Sequence, residues 1–369
     1  MIQSMTNGTS EWPEGVVHAT QDPVERVVGT ADADAGGGTP GPKVRIEEVA
    51  RLAGVSPITV SRALRSPEMV SKPRRERILD AVARTGYASN PHARALKSGR
   101  SNLVALFLSS IASQQYTIAA EACTKVLEAA GYQVVMGRTS YSYARESSLI
   151  PAVMDMRPAA AFITGVMELE ANRSFLRQLD IPIVESWAYA ADPIDMLVGF
   201  SNTDGVALAV RHMAERGYSD VGFIGRNSGR GTIRRNAFES FCAASGLRMH
   251  GAVTVANVHS IADGRAALNE IVDRHPAIRA LFCANDLIAF GAMLAARERG
   301  LRVPEDLAIV GFGDSDVLAE VPPGITTVSV DSAGIGRVAG EALVTRLAGN
   351  EPQQRTVLFP VTLMERGSG

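Results

Sequence analysis

The sequence predicts an α/β protein made of two unlike parts, a small three-helix module followed by a larger, two-lobed core of parallel sheets. Three observations carry this reading. Basic charge is concentrated in one short segment; that segment holds two apolar-periodic stretches meeting at a Gly-x-Ser-Pro corner; and everything after Asn102 alternates short apolar runs with amphipathic stretches.

Residues 1–42 contain "GTADADAGGGTPGP" and almost no apolar periodicity, the composition of a disordered tail. The three-helix module occupies 43–88. Ile46, Val49, Ala50 and Ala53 recur at i, i+3, i+4 and i+7, so one helix face is apolar. Gly54 can take the positive φ that ends such a helix. Ser56 is a natural N-cap and Pro57 a natural first helical residue, which starts a second helix with Val60, Ala63 and Leu64 as its inner stripe. Ala50 is small where the two helices cross. Ser71 caps a third helix that runs through Ile78, Ala81 and Val82 to Gly86. The corner in "VARLAGVSPITVSRAL" is therefore a helix-turn-helix.

Residues 89–100 form a linker. Asn90 caps it and Pro91 fills a first turn, giving a short basic piece, weakly helical, that orders only against a partner. From 101 to 369 the runs "LVALFLS", "YQVVMG", "AAAFITG", "IPIVES", "DVGFIG", "ALFCAND" and "LAIVGFG" read as strands separated by helices. Continuous apolar strands with intervening helices imply parallel sheets covered on both faces. The length suits two similar lobes with a cleft between them, and ligands of such folds bind beyond the carboxyl ends of the strands.

Charge separates the parts. Between Lys43 and Arg100 there are 13 Lys and Arg against 5 Asp and Glu, a local +8 in a chain of 369 residues whose formal net charge is -2. The rest of the chain is acidic. This is the footprint of a nucleic-acid-binding module joined to a domain that does not touch nucleic acid, or else of a solvated basic helix face. Cys123, Cys242 and Cys283 are far apart and in apolar surroundings, which suits reduced thiols. No apolar run approaches the roughly 18 residues of a membrane span, and the N-terminus lacks the pattern of a secretory signal, so the expected location is cytoplasmic. There is no G-x-S-x-G, no paired Cys-x-x-Cys and no His-Glu-x-x-His, so neither an enzyme nor a metal site is expected. "GRNSGRGT" (225–232) lacks the lysine and spacing of a phosphate loop, and "GIGRVAG" (334–340) misses the dinucleotide fingerprint.

In a helix-turn-helix the second helix lies in the major groove. Its exposed side here includes Pro57, Ile58, Ser61, Arg62 and Arg65, with Ser56 at the corner. Arg62 can pair bidentately with guanine, or it contacts phosphate or solvent. Thr59 and Ser61 suit phosphate or base hydrogen bonds.

The order helix-turn-helix, "NPHARALKSGR" and two-lobed core resembles the LacI/GalR family of bacterial transcription regulators. The matching stretches are "EVARLAGVSPITVSRAL", "NPHARAL", "NDLIAFGAMLAARERGLRVPEDLAIVGFGDSD" and "PPGITTVSVD", and they span the chain from Lys43 onward. "SPEMVSKP" and "LVGFSN" resemble the gluconate-operon repressor branch. The resemblance implies a periplasmic-binding-protein-like core and a hinge helix over Asn90–Leu96. It places Asn90, Ala93 and Arg94 at the DNA and wedges Leu96 into the minor groove. Pro57 and Ile58 depart from the polar pair many relatives use for base reading. In the cleft, Asp286 matches an aspartate that binds effector hydroxyls, its alternative reading being a helix cap. Arg235 matches an arginine that reaches the effector, with Thr232 and Arg230 nearby. Gln115 and Tyr116 follow the first strand, where relatives place ligand-facing aromatics. Glu185, Trp187, Asn202 and His259 either line the same cleft or serve packing and loops. The implied molecule is a homodimer that binds a double-stranded DNA operator and a small sugar or sugar-acid effector, without a cofactor. A corepressor-dependent regulator of the same family and a solute-binding sugar receptor are the alternatives.

Overall fold

In the computed structural model, residues 44–65, 67–87, 101–140, 142–165, 167–256, 258 and 260–369 are described. The expected tail (1–42) and the whole of the linker (89–100) lie outside them, and so does the side chain of Arg65. The chain divides into two compact units, Met1–Ser89 and Asn90–Gly369.

In the first unit, helix α1 (Ile46–Ala53) ends at Gly54, whose φ of 65° is left-handed. The Val55 N–H then donates to the Ala50 carbonyl at 3.0 Å, closing the helix end. Helix α2 (Pro57–Arg65) starts on Ser56, whose Oγ accepts from the Thr59 N–H at 3.2 Å. Helix α3 (Lys72–Thr85) ends at Gly86, again left-handed at φ 64°. Val49, Ala50, Ala53, Val60, Ala63, Val70, Ile78 and Ala81 form one buried cluster. Leu64 departs from the expected inner stripe. It is 37% exposed, because a helix this short turns only a narrow face to its neighbours and Val60 and Ala63 fill it.

The second unit contains two six-stranded sheets. The first comprises β1 (Leu103–Leu108), β2 (Gln133–Arg138), β3 (Ala160–Thr164), β4 (Ile183–Ser186), β5 (Met196–Phe200) and β11 (Thr356–Phe359), in the order β11-β5-β4-β3-β1-β2. The second comprises β6 (Asp220–Gly225), β7 (Arg248–Thr254), β8 (Ala280–Cys283), β9 (Ala308–Phe312), β10 (Thr326–Val330) and β12 (Val361–Met364), in the order β12-β10-β9-β8-β6-β7. Every pairing is parallel except that of β12 with β10. The crossovers are made by α4 (Gln114–Ala129), α5 (Tyr143–Met154), α6 (Glu170–Arg177), α7 (Asn202–Glu215), α8 (Arg230–Ala244), α9 (Ile261–Arg274), α10 (Asp286–Glu298), α11 (Asp316–Glu320) and α12 (Ser332–Leu347).

The chain passes between lobes three times. After β5 it enters α7, which packs on β10 and β12; after β10 it returns through α12, which packs on α4; and β11 leads to β12. The stretch "GIGRVAG" lies in α12, where its glycines let two helices touch: a Cβ at Gly336 would collide with the Ala119 carbonyl. In each sheet the strand order reverses around one strand, β1 between β2 and β3 and β6 between β7 and β8. A crevice therefore opens at the carboxyl ends of those strands. The three cysteines are free and buried, and desolvation pushes the Cys123 and Cys242 thiols up to about 12, so they stay protonated.

Candidate functional site

The exposed side of α2 is unusual for its apolar content. Ile58 is 65% exposed at the second helical position, beside exposed Pro57 and Arg62. Ser56 and Thr59 are held to each other through their hydroxyls at 2.8 Å, and Thr59 and Ser61 are half-buried. Among its described side chains, the helix thus presents Arg62 together with apolar Pro57, Ile58 and Leu64 beside a polar N-terminal turn.

In the core, the crevice between the lobes encloses about 860 Å³, counting the part open to solvent. The first lobe contributes Ser109, Tyr116, Thr139, Tyr143, Glu146, Thr164 and Glu168. The second contributes Arg226 and Ser228 after β6, Arg230 and Arg234 on α8, and Ala284 and Asn285 after β8. Strand ends β1 and β3 are tied together there. The Ser109 N–H donates to Thr164 Oγ1 at 2.7 Å and Ser109 Oγ to the Thr164 carbonyl at 2.5 Å.

The walls are electrically opposite. Arg230 crosses the cleft: its Nη2 donates to the Tyr116 hydroxyl at 2.7 Å. Gly165, at φ 116°, makes room for it, since a Cβ there would lie 2.5 Å from Arg230 Nη1. Arg234 is 8% exposed and fully occupied on its inner side. Its Nε donates to Asn202 Oδ1 at 2.8 Å, its Nη1 to the Ala284 carbonyl at 2.5 Å, and its guanidinium lies 3.4 Å from the Phe312 ring centroid. On the opposite wall the Tyr143 hydroxyl donates to Glu168, a bond that pushes the phenol up to about 12. Burial, reinforced by the Glu168 charge and opposed by Arg230, raises the Glu146 carboxyl to about 7.

Residues 45–90 match the model of the bacterial regulatory proteins of the lacI family, and residues 210–369 match a periplasmic binding protein-like domain. The HTH-type transcriptional regulator GntR of Pseudomonas aeruginosa is 32% identical over 329 residues, 88% of this chain and 95% of that protein. The chain belongs to the lacI family. A lacI-family transcriptional regulator from Silicibacter pomeroyi, 28% identical, superposes with a TM-score of 0.80 over 88% of this chain and 99% of its own. The transcription regulator GntR of Chromobacterium violaceum, 31% identical, gives 0.67 over 72% of this chain and 98% of its own. The protein is accordingly a transcriptional regulator and not an enzyme. Among the described residues, no helix is long and apolar enough to cross a membrane.

The regulator's cleft takes up some of the expected residues and not others. Tyr116 and Arg230 line it. Arg235 does not: its Nε pairs with Glu239 Oε1 at 2.9 Å, and it lies with Glu239 and Cys242 in a separate surface groove. The reason is helical phase. Arg234 stands four residues before Phe238 on the buried face of α8, whereas Arg235 shares the outward face with Glu239. Thr232 is half-buried outside the lining, and Gln115 packs against Gly313. Asp286 is 4% exposed and behind the cleft rather than in it, accepting from Thr327 Oγ1 at 2.6 Å and the Ser315 N–H at 3.0 Å. It is not the cap of α10; Asn285 is, through the Leu287 N–H at 2.8 Å. Glu185 is fully buried in β4, holding the Met167 and Ile194 N–H groups at 2.7 Å each and facing Arg173 at 3.7 Å. Trp187 packs edge-on against Tyr116 with ring centroids 5.0 Å apart, and Asn202 donates to the Trp187 carbonyl at 3.0 Å. These last residues support the lining without reaching it. His259, Asn90, Ala93, Arg94 and Leu96 lie outside the described residues. Arg226, Arg234, Tyr143, Glu146 and Glu168 were not singled out from the sequence. For Arg234 a signal existed in its spacing to Phe238; the others sit in loops or on an exposed turn, where periodicity is silent.

Proposed function

We propose that this regulator is an operator-binding repressor that acts as a cytoplasmic homodimer and releases DNA when a small sugar acid binds in the cleft. The observation that carries the effector class is the basic wall of Arg226, Arg230 and Arg234 facing a wall rich in hydroxyls. Planar guanidinium forks suit a carboxylate, and Ser109, Thr139 and Thr164 suit the hydroxyls of a polyol chain. Asp286 serves from behind, fixing the turn that presents Ala284 and Asn285. Both "SPEMVSKP" and the GntR-named relatives support a gluconate-like effector over a neutral sugar.

At the DNA, α2 enters the major groove, Arg62 reads guanine, Ile58 meets a thymine methyl, and Ser56, Thr59, Ser61 and Arg65 hold the backbone. The 89–100 linker orders in the minor groove through Asn90, Ala93, Arg94 and the Leu96 wedge. An effector that bridges the two lobes closes them, alters the approach of the paired linkers, and must weaken operator binding by the factor by which operator weakens effector binding. The test is a mobility shift on the DNA upstream of the protein's own gene, titrated with D-gluconate and other hexonates. Release is expected. Tighter binding would make the effector a corepressor, and no response to any sugar acid would remove the anionic effector.

A further inference from the structure

Beside the cleft, the two lobes also meet through a reciprocal pair of hydrogen bonds. Gln114 opens α4 in the first lobe and Asp316 opens α11 in the second. Gln114 Nε2 donates to Asp316 Oδ2 at 3.0 Å, and the Asp316 N–H donates back to Gln114 Oε1 at 3.1 Å. A side-chain amide gives and takes at once, which an ionised carboxylate or an ammonium group cannot do. The receiving turn is held firmly to its own lobe. Asp314 Oδ1 accepts from Arg366 Nη2 at 2.6 Å, and the Ser315 N–H donates to Asp286 Oδ2 at 3.0 Å. Gln115 lies over the same turn, where a Cβ at Gly313 would collide with its Nε2. On the other side, α4 is packed on α12. The contact therefore joins two stiff bodies, and hydrogen-bond geometry is steep enough that a change in the angle between the lobes breaks it.

Building on the closure reading above, we infer that Gln114 and Asp316 form a switch contact that favours the effector-bound arrangement of the lobes, and so sets how much effector releases the operator. Two observations fix this assignment. The contact is made while Arg230 also spans the cleft to the Tyr116 hydroxyl at 2.7 Å. Direct bonds at two places across the crevice need lobes at contact distance, which is the closed arrangement. Tyr116, two residues after Gln114, and Asn285, next to Asp286, both line the cleft. An effector held by both lobes thus bears on the elements that the contact joins. A net contribution of a few-fold per hydrogen bond biases a balanced equilibrium without locking it.

The experiment compares wild type, Gln114→Glu, Asp316→Asn and the double variant, all as full chains. Each is titrated on the upstream DNA without effector, and by calorimetry with D-gluconate without DNA. Gln114→Glu removes the donor and sets a second carboxylate against Asp316, which opens the contact. Asp316→Asn alone keeps an oxygen that accepts from Gln114, so both affinities stay near wild type. In the double variant the new amide donates to the new carboxylate, rebuilding the pair with its polarity exchanged and its net charge unchanged. Gln114→Glu is expected to bind operator more tightly and gluconate more weakly, the two factors multiplying to about three- to tenfold. The double variant should reverse both changes. Weaker operator binding with tighter gluconate binding in Gln114→Glu would place the contact in the operator-bound arrangement and overturn the inference. A change that the double variant fails to reverse would overturn it too, by reducing the effect to added charge. Equal affinities in all four proteins also remove the inference and leave the sugar-acid reading standing. If none of the four binds gluconate while the operator titrations show the gain and its reversal, the sugar-acid reading falls and the switch contact stands.

Discussion

Replacing Arg234 by Met keeps the unbranched stem and removes the guanidinium, and this separates the residue's structural work from its place at the cleft. Two acceptors lose their donors, Asn202 Oδ1 and the Ala284 carbonyl, in residues that are 3% and 6% exposed. A buried acceptor left unpaired costs about 1–3 kcal/mol. The guanidinium also stands 3.4 Å from the Phe312 ring centroid, and a desolvated cation–π contact adds about 2 kcal/mol. Ala284 borders the cleft, so water can reach its carbonyl and the total falls toward the lower end, about 3–5 kcal/mol. That is a large part of the ~5–15 kcal/mol that holds an ordinary domain together. Urea unfolding followed by tryptophan fluorescence should show the midpoint fall with its slope unchanged, since Trp187 is buried beside this network. A loss below about 1 kcal/mol would refute the reasoning, because the two acceptors would then be satisfied without Arg234.

Arg235→Ala should behave oppositely, although the residue is adjacent. It removes one partly exposed i, i+4 pair, worth about 0.3–0.5 kcal/mol, and effector titrations should match wild type; a lost effector response would return Arg235 to the site. Arg62→Ala is expected to weaken operator binding by about 1–3 kcal/mol and to relax base preference at one position per half-site; equal losses on operator and random DNA in a salt-controlled titration would confine it to phosphate. Glu146 titrates near 7 in the folded protein, above the 4.5 of the free side chain, so folding favours its protonated form. Its contribution is present below about pH 4.5 and is lost as the pH rises through 7. Glu146→Gln should therefore raise the melting temperature at pH 8 and leave it nearly unchanged at pH 4; an equal change at both values would remove burial as the cause.

Much of the architecture was legible in local pattern. The Gly54 and Ser56-Pro57 corner, the glycine end of α3 and seven of the parallel strands follow from groups that act within a few residues: a left-handed φ, a hydroxyl cap, a continuous apolar run. Strands β5, β7, β10, β11 and β12 were not among the quoted strand runs. β7 mixes Arg248, His250 and Gly251 at a sheet edge, and β11 and β12 alternate half-buried with exposed positions on edges as well, so none carries a fully apolar signature. The cleft was legible only as a place. Tyr116 and Arg230 could be named because they follow a strand or open a helix, but Glu146 and Glu168 belong to stretches whose own pattern says only that they are polar.

The sequence by itself determined the kind of molecule: a basic helix-turn-helix joined to an acidic two-lobed core. Helix caps, apolar periods and local charge are short-range properties that need no knowledge of what packs against them. Only the tertiary structure decided which charges meet. Arg234 rather than Arg235 faces the cleft because Phe238 anchors one face of α8 in the core. Asp286 is drawn behind the lining because Thr327 and Ser315, both distant in the chain, are brought to its two oxygens. Glu168 meets the Gly229 turn because the chain crosses between lobes three times and sets the loop after β3 against the loop after β6. Those pairings join residues dozens of positions apart, and their energy depends on distance and desolvation, neither of which is written in the order of the residues.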